Sequence, residues 1–181
     1  MAFTGKQVNP AVCTADSKLL LTDGGQALLY KELGCTKKNK EVLVEIGTCA
    51  NGNGTTIRAG WQVDTDLVRI YDMCHDKVKL LNYYSIDVVP GREADGKITG
   101  NSRPSFSQGG YYPGIDVNTQ YTQVTQTATI AEILGSAELA AHYINSNAQI
   151  FFSRGHMAPN ADFIDEASQD SSFYFTNAAV I

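Results

Sequence analysis

No stretch of this chain approaches the ~20 consecutive apolar residues that a membrane span needs, and the sequence therefore reads as soluble, with no membrane partner. Net positive charge is lacking too. A formal charge of −5 excludes a general polyanion clamp, because such binding draws its energy from neutralising phosphates over a wide surface. Any contact with nucleic acid must then be a local basic cleft. No C-x-x-C pair occurs, which makes a structural zinc site a poorer reading than disulfides. The first residues, MAFTGK, contain no apolar core of a leader peptide, so the reading expects either a chain that starts inside a longer one or reduced cysteines. With 43% hydrophobic and 18% charged residues over 181 positions, the rest is ordinary for a globular protein able to bury a sizeable core.

Cysteine is also missing from the whole second half. All four, Cys13, Cys35, Cys49 and Cys74, lie before residue 75. Such segregation predicts a separately stapled module with two disulfides, their pairing left open. An oxidising, extracellular compartment follows, and the sequon Asn53-Gly54-Thr55 points the same way.

Short apolar runs separated by Asp, Asn and Gly fill this first half: Leu19–Leu21, Ala27–Tyr30, Val42–Ile46 and Leu67–Tyr71. They predict a small antiparallel β module, with Trp61 in its core and Lys37, Lys38 and Lys40 on a solvated turn. KLLNYYSIDVV, from Lys79 to Val89, predicts a longer strand that opens a second module. The expected division is therefore residues 1–78 and 79–181.

Residues 101–123 lack helical period and are rich in Gly, Tyr, Ser, Pro and Asn, the composition of a functional loop. Its Tyr111, Tyr112 and Tyr121 fit anchoring onto the domain's own core better than stacking on bases. Thr129-Ile130-Ala131-Glu132 fits a capping box, Gly135 a helix end and Ser136 the next cap. Leu139, Ala140, Tyr143 and Ile144 form one apolar stripe on that next helix, with His142 off it at the surface. Ile150-Phe151-Phe152 predicts a strand leading into Arg154-Gly155-His156. Ser171–Thr176 predicts a second strand, Phe173 and Phe175 on one face and Tyr174 on the other.

The most informative stretch is FFSRGHMAPNADF, Phe151 to Phe163. An imidazole with an ordinary pKa of ~6.5 accepts a proton near neutrality, the neighbouring guanidinium is always charged, and Gly155 admits close approach or a positive φ. The block resembles the (D/S)RGH-x-x-P-x-x-D-F signature of the DNA/RNA non-specific endonucleases, a ββα-metal family, with the arthropod members most alike. Arg103, in KITGNSRPSF, is similar to the region where that family carries a second arginine facing the scissile phosphate. Ser153 stands where many members have Asp.

The resemblance implies an α+β fold: a small antiparallel β module followed by the first part of a ββα-metal nuclease core. It implies phosphodiester hydrolysis of DNA and RNA, with His156 as general base, Arg154 and Arg103 as catalytic phosphate clamps, and Asn160 assisting substrate binding. A base, cations on the non-bridging oxygens and a metal at the departing oxygen are what that reaction needs. In the family one Mg²⁺ is held by an asparagine on a helix downstream of an N-x-x-P-Q block. Here that block begins at Asn177-Ala178-Ala179 and the sequence runs to Ile181, so the ligand position has no counterpart, and a truncated domain with Phe173 and Phe175 poorly covered is expected. Asn177 and Asp162 are the oxygen donors the signature places nearest His156. The competing expectation is a non-catalytic nucleic-acid-binding or secreted interaction protein derived from this fold.

Overall fold

A computed structural model describes residues 11–15, 18–21, 27, 40–89, 91, 99–145, 147 and 149–181. Strands β1 (Ala11–Cys13) and β2 (Leu19–Leu21) form an antiparallel pair. The expected Ala27–Tyr30 strand, Lys37 and Lys38, and the side chains of Cys13 and Cys35 lie outside the described residues.

The dominant element is a four-stranded antiparallel sheet in the order β3 (Val42–Cys49), β4 (Gly54–Val63), β5 (Asp66–Asp76), β6 (Leu81–Ile86). Alternation builds it. Ile57 and Ala59 on β4 point to one face with Tyr71 and Met73 on β5, all fully buried or nearly so, while Arg58 and Asp72 pair on the other face through two bonds of 2.8 and 3.0 Å. Trp61 is only half-buried and stands outside that core, because a bulge between Ala59 and Gly60 shifts the register ahead of it. The boundary expected at 78/79 falls in the turn joining β5 to β6, two hydrogen-bonded strands of this sheet.

A disulfide joins Cys49 at the end of β3 to Cys74 on β5. Gly54 is the residue that makes room for it: a Cβ there would stand 2.9 Å from each sulfur.

Among the described residues three helices follow: α1 (Val117–Gln120), α2 (Gln123–Leu134) and α3 (Ala137–Tyr143). Asp116, Thr122 and Ser136 cap them through side-chain oxygens. Thr129 is interior to α2 and caps nothing, since the helix already starts behind Thr122. Gly135 ends α2 in the left-handed region, φ 64°, as the sequence predicts. The expected stripe on α3 splits: Ala140 and Ile144 are buried, whereas Leu139 and Tyr143 are exposed, along with His142.

Strand β7 (Arg154–His156) pairs antiparallel with β8 (Ala178–Val180). It begins at Arg154, so the aromatic pair Phe151-Phe152 precedes the strand. Between them runs α4 (Glu166–Ser171), capped by Asp165 through bonds to the Ser168 backbone N–H (2.9 Å) and hydroxyl (2.6 Å). The strand expected over Ser171–Thr176 is therefore absent: α4 ends at Ser171, and Phe175–Asn177 forms a single 3₁₀ turn. Only Tyr174 makes an isolated parallel bridge, to Ser107. Phe173 and Phe175 are buried at 5% and 2% exposure, covered by Phe106 of the loop before α1, at ring separations of 5.1 and 5.4 Å.

Candidate active site

Two polar anchors set the height of β7 above the sheet. Asn82 on β6 donates to the carbonyls of Phe175 (2.6 Å) and Ala178 (2.7 Å), and its Oδ1 lies 2.7 Å from Nδ1 of the fully buried His75. Asn177, also fully buried, accepts at Oδ1 from the Ser85 hydroxyl (2.7 Å) and the Ala158 N–H (2.8 Å) and donates to the carbonyls of Ala158 and Ser172. Every bond a side-chain amide can make is made there. Both lone pairs of the Asn177 amide oxygen, one of the two candidate metal donors, are thus engaged within the protein.

On β7, Arg154 and His156 are two residues apart and share a face, with Gly155 between them. Gly155 has no positive φ; its role is space, since a Cβ would stand 2.7 Å from the side chain of Ile181. His156 is half-buried between Phe106 (ring centroids 4.9 Å) and Phe173 (4.6 Å, nearly perpendicular). Its Nε2 is shielded from solvent with no hydrogen-bond partner among the described residues. Burial, and after it the charge of Arg103, lowers its pKa below the ordinary imidazole value.

The Arg154 guanidinium sits over three rings, 5.0 Å from Tyr121, 5.6 Å from Phe175 and 5.9 Å from Phe106. Exposed Arg103 lies 5.3 Å over Phe173 on the loop that carries Phe106. Arg58 and Arg69 are both tied to Asp72, whereas Arg103 and Arg154 have no carboxylate partner among the described residues. Two cations without a carboxylate partner among the described residues thus flank a histidine whose pKa is lowered. A cleft of about 650 Å³ opens here, lined among others by Arg103, His156, Asn101 and Asn160. Asn160 donates to the Gln169 carbonyl at 3.0 Å, and Gln169 Oε1 accepts from Asn101 at 2.9 Å, so the far wall is a braced set of amides.

Asp162 stands apart from this convergence. Its carboxylate faces Asp87, whose pKa is raised, first by burial and then by the charge of Asp162. Among the described residues no group of three His, Cys, Asp or Glu side chains is arranged to hold a metal. With the Asn177 oxygen consumed as well, the donors among the described residues do not make a divalent-cation site.

Sequence reasoning missed Phe106, Asn101, Gln169 and Gln126. None sits in a motif; each is recognised only by the contacts that the fold gives it. Of the tyrosines, Tyr112 is buried and Tyr121 stacks on Phe175, 5.8 Å away, as expected of anchors.

Residues 49–180 match the family model described as DNA/RNA non-specific endonuclease. A salivary endonuclease of Lutzomyia longipalpis is 26% identical over 147 residues, covering 80% of this chain and 34% of that protein. This chain thus spans about a third of the length of the curated relative it matches. No solved structure matches.

Proposed function

The chain belongs to the DNA/RNA non-specific endonuclease family, and on that premise we propose that it hydrolyses phosphodiester bonds of DNA and RNA without sequence specificity. The observation that carries this reading is His156 set beside Arg103 on the cleft and beside both Arg103 and Arg154 on the pocket adjoining it, neither arginine having a carboxylate partner among the described residues. His156 is the general base. Because Nε2 is shielded from solvent, the proton of the attacking water is taken at Nδ1. Arg103 and Arg154 hold the non-bridging oxygens, where negative charge builds as water adds. Asn160 lines the same cleft and positions the substrate backbone. The family is generally divalent-metal dependent, which makes Mg²⁺ the cofactor to test, but the described residues form no site for it and no step is routed through it.

Residues from Cys49 onward act as one nuclease unit in this reading, which crosses the expected division between 1–78 and 79–181. The disulfide, together with the salivary relative, supports an extracellular protein. A non-catalytic nucleic-acid-binding role is the second reading, favoured by the lack of a metal-holding cluster among the described residues. Incubating plasmid and a structured RNA with the protein, with Mg²⁺ or with EDTA, separates the two. Cleavage of both polymers that EDTA and His156→Ala abolish supports the enzyme, and retarded but intact nucleic acid supports the binder.

A further inference from the structure

Next to the cleft lies a second pocket, of about 380 Å³, that shares Arg103 and His156 with it but has a different wall: Phe151, Phe152, Tyr121 and Arg154. We infer that this pocket is a nucleobase subsite, in which the rings of Phe151 and Phe152 receive a base of the nucleotide next to the scissile phosphate. The inference rests on the phosphodiester reading above and deepens it.

Phe151 and Phe152 are 42% and 40% exposed, so their rings contribute little to the core. Yet the backbone beneath them is fixed from two sides. Gln126 of α2, itself only 6% exposed, donates to the Phe152 carbonyl (2.9 Å) and accepts from the Phe152 N–H (2.8 Å). Ser153 and Ile181 exchange backbone bonds of 2.8 and 3.1 Å. A buried amide spent on fixing the main chain that carries exposed aromatic rings is preorganisation for a flat apolar partner, since that backbone needs no further ordering when it arrives.

Charge selects among flat partners. Arg103 and Arg154 have no carboxylate partner among the described residues and open onto this pocket, so the occupant carries an anion beside its apolar plane. A nucleotide joins those two features at a fixed distance. The first cleft offers amides instead, Asn101 and Asn160 among them, so the two sides of the scissile phosphate meet different surfaces: polar on one, aromatic on the other. A base that stacks on Phe151 and Phe152 must leave its own neighbours. The subsite therefore favours unpaired strands over duplex, without choosing among bases, because every base has a π face.

The test reads binding without turnover. Fluorescence anisotropy in EDTA measures a labelled ten-residue oligothymidylate, and an oligomer of the same length with tetrahydrofuran abasic units, against wild type, Phe151→Ala/Phe152→Ala and Phe152→Tyr. The double variant is expected to bind the base-bearing strand roughly tenfold more weakly, the loss typical of a stacked base, and the abasic strand as wild type does. Phe152→Tyr, which keeps a π face, retains affinity. Equal affinities of wild type and double variant for the thymidylate strand would overturn the subsite, and so would an equal loss on both strands. Unchanged thermal melting of the exposed-site variants shows that each folds. Should the protein cleave nothing while the base-dependent loss persists, the nuclease reading fails and the subsite stands; cleavage without that loss has the opposite meaning.

Discussion

The side chain of Asn177 closes a pair of hydrogen bonds with the main chain of Ala158, accepting from its N–H at 2.8 Å and donating to its carbonyl at 2.9 Å. An amide side chain here imitates a neighbouring strand. It extends the pairing of β7 with β8 past His156, where the Met157 N–H already meets the Asn177 carbonyl at 2.9 Å, and so fixes the turn that presents the histidine.

That relationship predicts a structural effect for Asn177. Replacing it with Ala leaves the Ala158 peptide and the Ser172 carbonyl without partners in a fully buried position, where each unmade bond costs about 1–3 kcal/mol. The expected loss is roughly 3–5 kcal/mol in urea unfolding. Asn177→Asp keeps the acceptor but loses the donor and should still be clearly destabilised. A destabilisation below about 1 kcal/mol for Asn177→Ala would contradict this role.

The pH profile follows from the environment of His156. Its pKa is lowered by burial and by Arg103, and only the neutral ring can take a proton. kcat/KM should therefore rise with pH through a midpoint below ~6.5. Arg103→Gln removes the repelling charge, so the midpoint should move up toward ~6.5 while the rate falls. The same shift affects stability. A depressed folded-state pKa contributes stability that is present above the unfolded value and lost as pH falls through the folded one, so acid destabilises wild type more than His156→Ala. A midpoint that Arg103→Gln leaves unmoved would show that the arginine does not act on this histidine.

How far the sequence disclosed this site depends on whether a residue acts through its type or through its partners. The block Arg154-Gly155-His156 was legible because base, cation and small residue are needed whatever surrounds them. Asn177 was not: an asparagine near a histidine reads as a ligand until the four bonds that saturate it are seen. The alternation Phe173-Tyr174-Phe175 has a strand's period, but the Asp165 cap drives the preceding residues into α4, and the Phe173 carbonyl and Phe175 N–H pair with Ser107 of a distant loop (2.9 Å each). Non-local pairing overrides local period there. Thr129-x-x-Glu132 likewise has the form of a capping box but lies within a helix that Thr122 had already started.

The Cys49–Cys74 bridge closes a loop of 25 residues in sequence separation, which in the chain-entropy account contributes about 3–4 kcal/mol. A Cys49→Ser/Cys74→Ser variant should melt roughly 10 °C lower than wild type. Gly54→Ala is expected to move melting in the same direction, because its methyl would press on both sulfurs. Alkylation without reductant should leave Cys49 and Cys74 unmodified in peptide mass analysis; labelling of both would show the bridge absent in solution.

The level of activity is set by what converges on the cleft against what does not. Base assistance by a positioned histidine contributes roughly 10²–10⁴ in rate, and His156→Ala should remove about that much. Arginines at the phosphate stabilise charge on the non-bridging oxygens, but neither can fully replace a metal at the departing oxygen. Asn177 has no free lone pair, Asp162 faces Asp87, and no metal-holding cluster is formed among the described residues. These 181 residues alone should therefore cut plasmid only weakly in Mg²⁺, far below what a base, two clamps and a fully held cation would give together. Asp162→Asn discriminates further. If the carboxylate only braces the loop beside Asp87, the variant keeps the wild-type dependence of cleavage on Mg²⁺ concentration. Efficient digestion by the 181-residue chain, with the Mg²⁺ requirement raised tenfold or more by Asp162→Asn, would instead make Asp162 a metal ligand and overturn the weak-activity expectation.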